Sequence, residues 1–265
     1  MPDDVVLIDT ADRVAVITLN RPDQRNALNR AVRRALPAAI TRCDNDDDVD
    51  VMILTGADPA FCAGVDLKEF GGGHVQQGDG FAEVGDGRTS FRGALPPHEK
   101  PLIGAVNGVA VTGGFEVALN CDFLVASDRA RFADTHARVG VMPGWGLTVL
   151  LAQRIGVARA KQMSVTGNYI DAATACAWGL VNEVVPHDEL LSYCRKLASD
   201  VVSNDQMGVR RMIQTYNEVT ATTVDEGWDI EQRVSREWEG PGFDPASIEA
   251  RRMKVVERGR QQIQG

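Results

Sequence analysis

The residues best placed to do chemistry are Gly113, Gly114 and Glu116, in the run T-G-G-F-E. Two glycines at a helix start let the backbone come close to a ligand, and the unpaired N–H groups there favour developing negative charge. Glu116 falls in the first turn, beside those N–H groups. It is either a carboxylate stabilised by the helix dipole or an acid/base aimed at whatever the N–H groups bind. A second stretch has the same grammar: V-M-I-L-T at 51–55, a turn at 56–59, then F-C-A-G-V at 61–65 leading into Asp66, which could cap a helix. If the strands before the two loops are neighbours, two backbone N–H groups converge on one oxygen, the geometry of an oxyanion hole. Alone, Gly113-Gly114 reads equally well as a tight helix entry.

The two loops have company in the chain. A-F-C-A-G-V-D-L-K-E-F and A-V-N-G-V-A-V-T-G-G-F-E-V-A-L-N-C-D are preceded by N-R-P-D-Q-R-N-A-L-N (20–29). They are followed by A-R-F-A-D-T-H-A-R-V-G-V-M-P-G-W-G (130–146) and W-G-L-V-N-E-V-V-P (178–186). This ordered set resembles the crotonase, or enoyl-CoA hydratase/isomerase, family over most of the chain. The resemblance implies an α/β fold, a crotonase-like spiral of ββα turns in two sheets. The core would span residues 1–186 and a helical C-terminal trimerisation region 187–265. It also implies an acyl-CoA thioester as substrate, no cofactor apart from the CoA that the substrate carries, and a homotrimer or dimer of trimers.

By the same resemblance the oxyanion donors are the N–H groups of Val65 and Gly113. The backbone is the donor, so a valine at the first position is tolerable. CoA contacts would come from Arg25, Ala27, Ala63, Asp66, Leu67 and Lys68, with Lys68 reaching a phosphate as a point charge. Taken singly, Arg25 and Lys68 are plain surface charges. The best-known hydratases of the family use two glutamates to position a water and deliver a proton. The first matches Glu116; the second falls on His136, a competent acid/base but not an equivalent one. Asp134 is the alternative. Pro143-Gly144-Trp145 lacks the carboxylate that some relatives place on this loop, and Arg251-Arg252-Met253-Lys254 stands where relatives usually carry a phenylalanine.

The elements that must hold these residues follow from the pattern. Residues 5–9 and 14–19 are β-rich and joined by a hairpin turn. Residues 29–44 have helical spacing, with Pro37 able to bend or shorten the helix. Buried strands are expected at 51–55, 102–106, 123–126, 131–133 and 180–184, and helices at 115–121, 143–155, 158–166 and 172–177. From His187 onward the chain reads as helix: 190–202, 206–219, 223–238 and 246–259. The glycine-rich segment 71–87 lacks the lysine or spacing of a nucleotide loop and reads as a mobile surface segment near the site. His74 and His98 are expected to face solvent, and Asp122 to be structural.

Composition narrows the function classes. The 265-residue chain is 44% hydrophobic and 25% charged, ordinary for a soluble domain, and its net charge of −9 argues against a general nucleic-acid binder. No apolar run approaches the roughly 20 residues that span a bilayer, and the N-terminus lacks a signal-peptide pattern, so a cytoplasmic protein is expected. The five scattered cysteines show no metal-ligand spacing and read as free thiols. The leading reading is syn-hydration of a trans-2-enoyl-CoA. Double-bond isomerisation comes next, then another lyase or hydrolase reaction on a CoA thioester. A non-catalytic acyl-CoA-binding protein is the reading from another class. A helical interaction module would make both glycine loops coincidental.

Overall fold

In a strand, side chains alternate between faces, and here that alternation builds two apolar layers around one sheet. The computed structural model describes residues 4–66, 69, 93–238 and 245–264. Its strands are β1 (Val6–Ala11), β2 (Val14–Leu19), β3 (Val51–Gly56), β4 (Ala60–Cys62) and β5 (Leu102–Val106). They continue as β6 (Val109–Val111), β7 (Phe123–Ser127), β8 (Arg131–Ala133), β9 (Ile170–Asp171) and β10 (Glu183–Val185). The helices are α1 (Arg30–Asp44), α2 (Gly113–Leu119), α3 (His136–Val139), α4 (Leu147–Ile155), α5 (Val157–Thr166) and α6 (Ala172–Ala177). The last four are α7 (Leu190–Val202), α8 (Gln206–Thr220), α9 (Val224–Trp238) and α10 (Pro245–Gln264).

A six-stranded sheet runs β1-β2-β3-β5-β7-β10 and a four-stranded one runs β4-β6-β8-β9. Three times the chain places one strand in the large sheet and the next in the small one: β3 then β4, β5 then β6, β7 then β8. That is the expected ββ spiral. The strands leading to the two glycine loops are direct neighbours, with Met52 opposite Leu102 and Leu54 opposite Gly104 in parallel register. β1 and β2 form the expected hairpin, its turn made by Asp12 and Arg13 at φ 51° and 63°.

Ile17, Met52, Leu54, Leu102, Val106 and Leu124 face one side of the large sheet and pack with α1 and α2. Val16, Ile53, Ile103, Ala105 and Val125 face the other and pack with Leu190, Cys194 and Ala198 of α7. α1 runs unbroken through Pro37, and the Asn29 side chain caps its start by accepting from the Val32 N–H. The chain divides into two compact units, Met1–Arg210 and Arg211–Gly265, so α7 belongs with the first. In the second unit Arg211 and Arg233 both pair with Glu218, while Met212, Tyr216 and Trp228 are exposed.

Three expectations are corrected. The helix expected at 143–155 is shorter: α3 ends at Gly140 (φ 82°), residues 141–146 are loop, and α4 starts only after Gly146 (φ 107°). Apolar periodicity could not register that the loop between them is tied to Glu116. The strand expected at 180–184 is Glu183–Val185. His98 does not face solvent; its ring lies 3.7 Å from Asp122, whose carboxylate also accepts from the Leu102 N–H. Leu67, Lys68, His74 and the segment 71–87 lie outside the described residues. Among the described residues no helix is long and apolar enough to cross a membrane, and no group of three His, Cys, Asp or Glu side chains could hold a metal.

Close approach of α2 to β4 is the fold's tightest demand. A Cβ on Gly114 would lie 2.2 Å from the Cys62 carbonyl oxygen, a backbone atom with nowhere to move. Gly114→Ala should therefore lower unfolding free energy by about 1–3 kcal/mol. Gly144→Ala, where a Cβ meets nothing within 4 Å, should stay within about 0.5 kcal/mol of the original chain. Urea denaturation of the two variants checks the contrast.

Candidate active site

Gly64 and Val65 lie against the start of α2. A Cβ on Gly113 would fall 3.4 Å from Val65 Cγ2 and 2.8 Å from Trp145 Cζ3, and one on Gly64 would fall 3.5 Å from the Gly113 nitrogen. Leu28 bridges Val65 in parallel fashion, its N–H donating to the Gly64 carbonyl and its carbonyl accepting from Asp66. In such a bridge the N–H of Val65 itself points away from Leu28. At the start of α2, the N–H groups of Gly113, Gly114 and Phe115 precede the first intrahelical bond, from Glu116 to the Thr112 carbonyl. The two glycine loops are thus side by side.

Thr112 carries the turn between β6 and α2 at φ 54°, ψ −116°, a costly conformation for a β-branched residue. Its N–H donates to Ala133 and its hydroxyl meets that of Thr135. The strained residue therefore ties the start of α2 to the segment that carries His136.

Glu116 is 1% exposed. Its Oε1 accepts from the N–H groups of Trp145 at 2.7 Å and Leu147 at 3.3 Å, the latter at the start of α4. Its Oε2 lies 3.6 Å from Nε2 of His136. That separation is too long for a hydrogen bond and is of the order that a single bridging water would span. Nδ1 of His136 is 2.6 Å from Asp134 Oδ1, which also accepts from the His136 backbone N–H. Asp134 and His136 are 2% and 6% exposed. Burial opposes charge on His136, but the Asp134 hydrogen bond and the attraction of both carboxylates outweigh it and push its pKa up to about 9. Burial also works against ionised Asp134, and bonds from His136 and Ser164 hold its carboxyl below the usual range.

Of the expected CoA-binding residues, the described ones, Arg25, Ala27, Ala63 and Asp66, occupy one neighbourhood. Ala63 donates to the Arg25 carbonyl, the Ala27 carbonyl accepts from Arg21, and Asp66 pairs with Arg21 at 3.2 Å. The Arg25 side chain is exposed. Sequence reading gave no role to Asn26, which is fully buried and donates to the carbonyls of Ala57 and Ala60. Its signal was a turn-forming residue inside a quoted motif. It also gave none to Asn120, whose amide donates to the carbonyls of Glu116 and Trp145 and pins the loop to α2.

Residues 9–240 match the model of the enoyl-CoA hydratase/isomerase family, and the chain belongs to that family. A probable peroxisomal enoyl-CoA hydratase of Arabidopsis thaliana is 42% identical over 77% of this chain and 75% of its own length. The short-chain-enoyl-CoA hydratase of Clostridium acetobutylicum is 38% identical over 80% of each. The crystal structure of an enoyl-CoA hydratase from Mycobacterium tuberculosis H37Rv is 46% identical and superposes with a TM-score of 0.74, covering 88% of this chain and 98% of that one. One from Bacillus anthracis reaches a TM-score of 0.83 at 30% identity, over 94% and 96%.

The His136 pKa predicts a pH dependence of stability. A group whose folded pKa is raised stabilises fully below its unfolded value, about 6.5, and loses that contribution as pH rises through about 9. Unfolding free energy should therefore fall across that window, and less steeply in His136→Gln. Chemical denaturation at several pH values compares the slopes; equal slopes in both chains would contradict the placement.

Proposed function

We propose that this chain is an enoyl-CoA hydratase, adding water syn across the double bond of a trans-2-enoyl-CoA. The observation that carries the reading is the 3.6 Å approach of Glu116 Oε2 to His136 Nε2 beside the two glycine loops. The thioester oxygen lies between the N–H groups of Val65 and Gly113, whose loops are adjacent. Arg25, Ala27, Ala63 and Asp66, with Leu67 and Lys68, hold the CoA. Glu116 is the base and His136 the acid.

A water held by Oε2 and Nε2 gives its proton to Glu116 while its oxygen bonds to Cβ. The π pair of the double bond moves onto Cα and the thioester, and the oxyanion donors take the charge. His136 delivers its Nε2 proton to Cα. The proton now on Glu116 crosses to His136 Nε2 and restores the pair. The sum is enoyl-CoA plus water giving 3-hydroxyacyl-CoA, with no further cofactor.

The exposed Met212, Tyr216 and Trp228 of the second unit support a homotrimer or dimer of trimers. Sedimentation equilibrium should give three or six chain masses; a monomer would remove this part of the reading.

Glu116→Gln and His136→Ala should each cut turnover of crotonyl-CoA roughly 100-fold or more, while calorimetric affinity for an acyl-CoA stays nearly unchanged. Damage from Glu116→Gln alone would favour isomerisation by a single base. Acyl-CoA binding without turnover in the unaltered protein would favour a binding protein, and absence of binding would defeat the assignment.

A further inference from the structure

The hydratase reading needs His136 to carry a proton at Nε2 and to point it at Glu116. An imidazole does neither by itself. Its neutral form has two tautomers, and the ring rotates unless one nitrogen is held. His136 sits in α3, a single turn ended by Gly140, which is a weak support for a group that must be placed to a fraction of an ångström. Something outside the helix has to fix it.

We propose that Asp134 is a positioning residue for this reaction: its carboxylate holds Nδ1 of His136 so that the Nε2–H faces Glu116 and the imidazolium is the resting acid. The proposal rests on the hydratase reading for its catalytic meaning. Asp134 Oδ1 takes both the ring Nδ1–H at 2.6 Å and the backbone N–H of His136 at 3.1 Å, so one oxygen fixes the ring and the turn that carries it. Asp134 is anchored in turn by Ser164 of α5. The groups acting on the imidazole are Glu116 from α2 and Asp134 from the end of β8. Arg138, the other basic residue of α3, turns instead to the Thr166 carbonyl and Asn168. A neutral residue at 134 would weaken the hold on Nδ1 and remove one of the two charges that keep the ring protonated. The bonds of Asp134 run to His136 and Ser164, so it acts through His136.

Asp134→Asn should reduce kcat for crotonyl-CoA hydration about 10-fold or more with KM changed less than about 2-fold, because binding groups are untouched. The alkaline limb of its kcat profile should move down by at least about one pH unit, and Asp134→Glu should recover part of both losses. NMR titration of the His136 ring, assigned with His136→Gln, supplies a readout independent of turnover. In the unaltered chain the ring should stay protonated well above the ordinary value of about 6.5, and in Asp134→Asn it should titrate near that value. An unaltered ring titrating near the ordinary value, or the same titration in both chains, overturns the proposal even if the variant folds poorly. An unchanged pH profile in a folded Asp134→Asn also overturns it. If the unaltered chain hydrates no enoyl-CoA, the hydratase reading fails, while the titration still decides what Asp134 does to His136.

Discussion

The carboxylate of Glu116 is the constraint on which the site's construction depends. A carboxylate this deeply buried is costly unless its oxygens find donors, and a lost donor to a charged group costs about 1.5–3 kcal/mol. Oε1 finds two, the N–H groups of Trp145 and Leu147. The loop between α3 and α4 must therefore cross over α2, and it cannot be the helix that its apolar residues suggest. Asn120 fixes that loop from below through the carbonyls of Glu116 and Trp145. Gly114 lets α2 sit directly on Cys62, and Thr112 takes a strained turn so that α2 can begin at Gly113. Each of these features serves to leave Oε2 facing His136.

An imidazole facing Glu116 gives the pair electrostatics unlike those of two carboxylates. Two close carboxylates repel, and one keeps its proton only because the other is charged. A carboxylate facing an imidazolium attracts it, and the donor holds its proton at neutral pH through ordinary ion pairing. Asp134, behind the ring, strengthens this attraction and adds an orientation that a glutamate in that place would have to draw from its own packing. The row Asp134–His136–Glu116 thus sets one proton donor opposite one acceptor.

Most of the frame was legible in the sequence because it is local. The buried strands appear as short apolar runs, the hairpin as a turn between alternating segments, and the loops at Gly64 and Gly113 as glycines after strands. Asn29 capped α1 as its type suggests. What the sequence could not show is which backbone groups reach across. His98 reads as a loop histidine, but Asp122 draws it inward. Pro143-Gly144-Trp145 reads as a helix start, but the Trp145 N–H is committed to Glu116. Asp134 was visible as a second candidate acid, two residues from His136. Its role as the partner of Nδ1 depends on one carboxylate oxygen meeting both the backbone N–H and the ring of His136, which residue spacing alone does not specify.

The most direct test of the account is a crystal structure with an unreactive enoyl-CoA analogue bound. The thioester oxygen should lie about 3 Å from the nitrogens of both Val65 and Gly113, with Cα on the His136 side and Cβ within reach of a water on Glu116 Oε2. A thioester oxygen directed away from those two nitrogens, or an acyl chain bound with Glu116 and His136 out of reach of Cα and Cβ, would contradict it.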